Sequence, residues 1–138
     1  MIELNYLAIF VAAILAFAIG SLWYSPVLFG KSWQKLTGIS DADMKSGMIK
    51  SSVIYFLMQL VMSFVMATFV LGWAGSAPET SGLSIGLQTG FWIWLGFLAT
   101  SMLGSVIWDK KPLKLYFINI GYQFIVLLLI GALLGYWQ

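Results

Sequence analysis

The sequence predicts an all-α integral membrane protein with four transmembrane helices and a short interfacial amphipathic helix after the first. Hydrophobic residues make up 61% of the chain and charged residues only 9%, whereas soluble domains have about a quarter charged residues. Four uncharged apolar runs are each close to the ~20 residues that a helix needs to cross a bilayer. A length of 138 residues leaves room for one domain. We therefore expect a single transmembrane domain over residues 1–138.

The first predicted transmembrane helix covers residues 4–24. A cleaved signal peptide is the competing interpretation, but it requires a basic N-terminal region and a small-residue cleavage site. This chain instead has Glu3 before the run and bulky aromatic residues at its end. Small residues recur every four positions and so share one helix face, where another backbone can approach closely. They are Ala8, Ala12, Ala16 and Gly20.

An aromatic corner follows this helix. Pro26 lacks a backbone N–H and disfavours helix at the residue before it, so the helix should end here. Aromatic rings with one polar atom suit the boundary between lipid and water. We therefore expect an amphipathic segment over residues 26–37, lying in the membrane surface. The predicted interfacial residues of this corner are Trp23, Tyr24, Pro26, Lys31 and Trp33.

Three further transmembrane helices are predicted, over residues 51–73, 83–108 and 115–136. Ser40 and Asp43 match a capping box that starts a short helix before the second of them. Small residues again repeat every four positions on the third helix, which offers two faces for close packing. These residues are Gly82, Gly86 and Gly90, and then Gly96, Thr100 and Gly104.

All seven basic residues lie in the connections after the first and third predicted helices. The positive-inside rule therefore predicts that both lysine-bearing loops are cytoplasmic and that both termini lie outside. The same lysines could also contact anionic lipids. They are Lys31, Lys35, Lys45, Lys50, Lys110, Lys111 and Lys114.

Two stretches of the sequence resemble the bacterial membrane family catalogued as domain of unknown function 1761. The first consists of WYSP at 23–26, LFGK at 28–31 and Trp33; the second consists of KPLKL at 111–115, INIGY at 118–122 and GALLG at 131–135. The resemblance covers essentially the whole chain. It implies a small four-helix protein of the bacterial inner membrane, and it implies no particular activity.

Polar side chains from three predicted helices should lie at one depth, since Gln59 and Gln123 are each eight residues from the lysine-bearing end of their helix. Thr100 is eight residues from the corresponding end of the third helix. Eight residues correspond to roughly 12 Å of helix. These side chains either hydrogen-bond between helices as structural contacts or line a small ligand cavity. The candidate cavity residues are Gln59, Thr100, Ser101, Asn119, Tyr122 and Gln123.

Several kinds of chemistry are disfavoured by the composition. The chain has no cysteine and no histidine, so thiol or imidazole catalysis and the usual zinc and haem ligands are excluded. No carboxylate or lysine lies within a predicted membrane span, which argues against ion-coupled transport. The net charge of +2 is too small to indicate nucleic-acid binding. We expect no enzyme activity, no metal and no cofactor.

Two functional hypotheses are left. In the first, the protein binds or translocates a small apolar or amphipathic molecule in a cavity between the helices. In the second, it is a non-catalytic accessory or scaffold subunit of a larger membrane complex. The small-residue faces also predict self-association as a homo-dimer or higher oligomer, with the lipid bilayer as the common partner.

Overall fold

The fold is entirely helical over residues 3–137, the part of the chain that a computed structural model describes. Four helical spans are long and apolar enough to cross a membrane, which confirms the predicted fold class. The spans are α1 (Tyr6–Trp23), α4 (Met48–Ser76), the composite third span Gly82–Ile107, and α8 (Leu113–Tyr136).

Short helices occupy the connection between the first two spans. Helix α2 covers Gly30–Thr37, so the predicted segment 26–37 is helical only in its second part. Helix α3 covers Asp41–Lys45 and begins with the predicted capping box. There the Ser40 hydroxyl and backbone N–H both donate to the Asp43 carboxylate, and these hydrogen bonds lower the pKa of Asp43. Helix α4 starts directly after this connection, at a left-handed Gly47.

The third span is interrupted, although the sequence predicts a continuous α-helix there. After α5 (Gly82–Ile93) the chain forms a π-helical segment, Trp94–Ala99, followed by the short helices α6 (Thr100–Met102) and α7 (Gly104–Ile107). A π-helical turn contains more residues than an α-turn, so it rotates the residues that follow it around the helix axis.

Helices α5 and α8 form the most extensive helix contact of the bundle. They run antiparallel, with Gly82 against Gly135 and Gly86 against Gly131. A Cβ atom added to Gly86 would lie 1.8 Å from the carbonyl oxygen of Gly131. The two backbones can therefore touch only because both positions are glycine. This confirms close packing for the first small-residue face of the third span.

Helix α1 packs against α4 and α8 through its small-residue face. Ala8, Ala12 and Ala16 have no exposed surface, and Gly20 is also buried. At the far end, the Asn5 side-chain amide donates to the backbone carbonyl of Trp137. The four spans therefore alternate in direction, and both lysine-bearing connections lie at one end of the bundle.

The second predicted small-residue face is not used within the bundle. A Cβ atom added to Gly96 would meet no atom within 4 Å. Thr100 is exposed, and its hydroxyl donates to the Gly96 carbonyl of its own helix. Gly96 and Thr100 therefore take no part in close helix packing among the described residues.

Candidate functional site

A cleft of about 580 Å³ lies between α1, α4 and α8 at the lysine-bearing end of the bundle. None of its lining residues is charged. Its polar lining residues are Ser21, Tyr24, Ser51, Ser52, Tyr55, Asn119, Tyr122 and Gln123. Its other lining residues are Phe17, Gly20, Trp33, Met44, Met48 and Met102. The lining therefore combines neutral hydrogen-bonding groups with aromatic rings and flexible thioethers.

The aromatic corner after α1 forms one wall of the cleft. The Trp23 indole N–H donates to the backbone carbonyl of Ile118 at 3.0 Å, and the Tyr24 hydroxyl donates to Asn119 Oδ1 at 2.7 Å. The rings of Trp33 and Tyr24 pack edge to face, with their centroids 5.9 Å apart and their planes at 73° to each other. The polar atoms of Trp23 and Tyr24 thus bond to α8, whereas the sequence suggested that they face the boundary between lipid and water.

A tight backbone turn holds this corner. The N–H of Gly30 donates to the carbonyl of Ser25, and the N–H of Phe29 donates to the carbonyl of Trp23. Three backbone atoms of Tyr24 and Ser25 would lie within 2.7 Å of a Cβ atom at position 30. A glycine is therefore needed for α2 to fold back so closely and bring Trp33 to the cleft.

Two tyrosines form the inner wall. The hydroxyls of Tyr55 and Tyr122 are hydrogen-bonded to each other, and the Tyr122 hydroxyl also donates to the backbone carbonyl of Ala16 at 3.1 Å. Since Tyr122 gives its proton to Ala16, Tyr55 is the donor in the pair. A Cβ atom at Gly20 would lie 2.8 Å from the Tyr122 hydroxyl oxygen. Gly20 therefore makes room for the tyrosine pair.

The structure brings together half of the predicted cavity residues. Asn119, Tyr122 and Gln123 line the cleft as neighbours on α8. Ser101 instead lines a second cleft, of about 700 Å³, which shares Met102 and Asn119 with the first.

The other two predicted residues lie elsewhere. Gln59 is buried on α4, one turn below Tyr55, and is not part of the cleft lining. Thr100 is exposed on the outer surface of the third span. Its hydroxyl donates to the Gly96 carbonyl one turn earlier in the same helical span, so this polar group needs no partner from another helix.

Sequence reasoning missed the contribution of α4. The missed residues on this helix are Ser51, Ser52 and Tyr55. A signal was present, because Ser51, Tyr55, Gln59 and Ser63 recur every four residues and so form one polar stripe on the helix. Only Gln59 was singled out from that stripe.

Three buried polar atoms among the described residues have no hydrogen-bond partner. They are Gln59 Oε1, Ser63 Oγ and Gln123 Oε1. Gln59 and Ser63 lie one turn apart in the closed part of the bundle, whereas Gln123 borders the cleft. An unpartnered buried acceptor costs about 1–3 kcal/mol.

These features define a class, a small multi-pass membrane protein with an uncharged cleft between its helices. No group of three or more His, Cys, Asp or Glu side chains that could hold a metal ion occurs within residues 3–137. The chain belongs to the family described as "Protein of unknown function (DUF1761)", whose family model matches residues 7–135. This confirms the resemblance seen in the sequence. No curated protein and no solved structure matches the chain.

Proposed function

We propose that this protein binds a small amphipathic molecule in the cleft between α1, α4 and α8, as a carrier or binding protein of the membrane. The observation that supports this most directly is the uncharged, polar and aromatic lining of a cleft inside an otherwise apolar bundle. A volume of about 580 Å³ lies within the range of about 300–1,000 Å³ typical of small-molecule sites.

The position of the cleft favours an amphipathic ligand. Its polar groups come from the ends of α1, α4 and α8 that adjoin the lysine-bearing connections, and Ser21 and Ser51 at its edge are exposed. A ligand head group could therefore enter from the membrane surface. Phe17 and the cleft methionines would contact its apolar part, and methionine adapts to varied shapes.

Binding is favoured over catalysis by the same lining. General acid–base catalysis needs a group whose pKa lies near the operating pH and which reaches the substrate. The cleft has no carboxylate, lysine or histidine among its lining residues. We therefore propose a non-enzymatic role.

A plugging substitution tests the proposal. Ser52→Trp places a large ring in the cleft, whereas Thr68→Trp places the same ring on an exposed part of α4, away from the cleft. Native mass spectrometry of protein extracted gently from its own membrane should show a stoichiometric small molecule on the wild type and on Thr68→Trp. The fraction of protein that carries this adduct should fall at least tenfold in the Ser52→Trp variant.

Two results would contradict this proposal. One is an equal adduct on both tryptophan variants, which would locate the molecule outside the cleft. The other is a wild type without any small molecule that co-purifies with a large foreign complex, which would favour the accessory-subunit hypothesis. The same spectra give the subunit number, which tests the proposed homo-dimer or higher oligomer.

We also propose that the lysine-bearing connections are cytoplasmic, that both termini lie outside, and that the membrane is the bacterial inner membrane. The positive-inside rule supports this orientation, since all seven lysines lie on one side.

The chain contains no cysteine, so single cysteines can be introduced cleanly. In intact cells, Thr80→Cys should react with a membrane-impermeant maleimide, and Ser46→Cys should react only after lysis. The reverse pattern would invert the proposed orientation. In the proposed orientation, anionic lipids are expected beside the lysines on the cytoplasmic side.

A further inference from the structure

The side-chain amide of Gln123 offers a hydrogen-bond donor to the cleft. Gln123 is half-buried and lines the cleft between α1, α4 and α8. Its side-chain oxygen has lost its accessible surface, whereas its Nε2 atom retains some and donates to no described residue. The nitrogen is therefore the end of this amide that a bound molecule can reach. An amide NH₂ group only donates, so its partner must be an acceptor.

A second amide donor lies one helical turn away. Asn119 and Gln123 are four residues apart on α8 and line the same cleft, so they share one helix face. The Oδ1 atom of Asn119 accepts the Tyr24 hydroxyl proton, whereas its Nδ2 atom donates to no described residue. Four residues correspond to about 6 Å of helix. One ligand group can therefore accept from both amides.

The hydroxyl groups of the lining are compatible with this requirement. The hydroxyls of Ser51 and Ser52 donate to no described residue, so they add further donors to the lining. A hydroxyl oxygen can also accept a hydrogen bond, and hydroxyls therefore tolerate either kind of ligand group. The two amide NH₂ groups only donate, and they are thus the groups that discriminate between ligands.

The lining also selects against charge. It contains no lysine that could pair with an anion and no carboxylate that could pair with a cation. Burying an ion without a partner of opposite charge is costly. An uncharged carbonyl oxygen, which can accept two hydrogen bonds, is therefore favoured over a carboxylate or a phosphate. An alcohol would bring one more donor into a lining that already has unengaged donors.

Resting on the proposed binding function, we infer that the ligand is an uncharged long-chain carbonyl compound, whose carbonyl oxygen accepts hydrogen bonds from Gln123 Nε2 and Asn119 Nδ2. Its apolar chain lies against Phe17 and the methionines of the cleft. The two amides of α8 select the head group in this arrangement.

Two probes of nearly equal shape test the acceptor. One is methyl nonyl ketone, and the other is the alkene in which a methylidene group replaces the ketone oxygen. Binding to the protein in nanodiscs is measured from the concentration dependence of its thermal stability, corrected for probe partitioning into protein-free nanodiscs. The ketone should bind about tenfold more tightly than the alkene, since only the ketone can accept a hydrogen bond. Undecanoate, a charged acceptor, should bind no better than the alkene.

Infrared difference spectra report the hydrogen bond directly. The ketone is labelled with a heavy carbon isotope at its carbonyl, and subtraction of the spectrum of the unlabelled ketone isolates the carbonyl band. Hydrogen bonding weakens the carbonyl bond, so bound ketone should absorb at a lower frequency than ketone in protein-free nanodiscs. The shifted band should be lost in the plugged variant Ser52→Trp.

Two variants assign the preference to one residue. Gln123→Met removes the amide donor and keeps a flexible side chain of similar length. It should lower the ketone preference from about tenfold to about threefold or less and weaken the shifted band. Gln88→Met makes the same change on an exposed face of α5 and should keep both the preference and the band.

The possible failures are distinguishable. Equal binding of ketone and alkene to the wild type, lost in Ser52→Trp, would overturn the carbonyl inference and leave cleft binding intact. Preferential binding of undecanoate would overturn the uncharged head group. A ketone preference that survives in a folded Gln123→Met protein would overturn the role of Gln123.

The wild-type spectrum decides the inference if Gln123→Met does not fold, since an unshifted carbonyl band would overturn it without any variant. Absence of any probe binding would also overturn the inference, while the proposed function is decided separately by the native mass spectra.

Discussion

Gly86→Ala is expected to destabilise the protein by about 2–3 kcal/mol, the upper part of the range for overpacking. The new methyl group would lie 1.8 Å from the carbonyl oxygen of Gly131, which is backbone and cannot rotate away. Helices α5 and α8 would have to separate along their whole contact. Gly86→Leu should prevent folding altogether.

Unfolding in a denaturing detergent titration measures this effect, with Gly72→Ala as the matched control. A Cβ atom at Gly72 meets nothing within 4 Å, and alanine has the higher helix propensity. The control should be neutral or slightly stabilising. If both alanine variants unfolded at the same detergent fraction, the backbones of α5 and α8 could not be in contact at Gly86.

Gly30→Ala is expected to destabilise the protein by about 2 kcal/mol and also to abolish binding in the cleft. Its methyl group would lie 2.4 Å from the carbonyl oxygen of Tyr24 and 2.7 Å from the backbone of Ser25. The turn must then open. Since this turn carries Tyr24 and Trp33, both rings would leave the positions that they have in the cleft wall.

The control for this variant is Gly104→Ala, at the same end of the bundle. There the nearest atom, on the Trp108 ring, would lie at an ordinary contact distance of 3.9 Å. Thermal stability and the small-molecule adduct in native mass spectra should both fall in Gly30→Ala and both be retained in Gly104→Ala. A Gly30→Ala protein that carries the wild-type amount of the adduct would show that the corner is not needed to shape the cleft.

These two glycines have different roles. Gly86 permits contact between two helices and matters for the stability of the whole bundle, whereas Gly30 shapes a local turn that forms part of the site. Neither position requires a left-handed backbone, since only Gly38 and Gly47 have positive φ among the described glycines. In both cases the need for glycine comes from close approach to another backbone.

Part of the candidate site could be predicted from the sequence. The three- and four-residue spacing of Asn119, Tyr122 and Gln123 predicts one shared face, and these residues line the cleft together because α8 is a regular helix throughout. Thr100 was expected to face the interior because a polar group in hydrocarbon needs a partner. It is exposed instead, since its hydroxyl bonds to the Gly96 carbonyl of its own helical span. Within the π-helical segment, the Trp94 indole N–H donates to the carbonyl of Ile120 on α8, a contact that no local sequence pattern indicates.

The membrane class, the four spans and the family were all predictable from the sequence, because hydropathy, run length and motif are local properties of the chain. The sequence also determined that α1 has a close-packing face. The tertiary structure alone decided which glycine face meets which helix, and that Trp23 and Tyr24 bond to α8. The physical reason is that lipid and the protein interior are both apolar, so apolarity does not tell which side of a membrane helix faces its neighbours. Only the packed bundle fixes that direction, and with it the cleft.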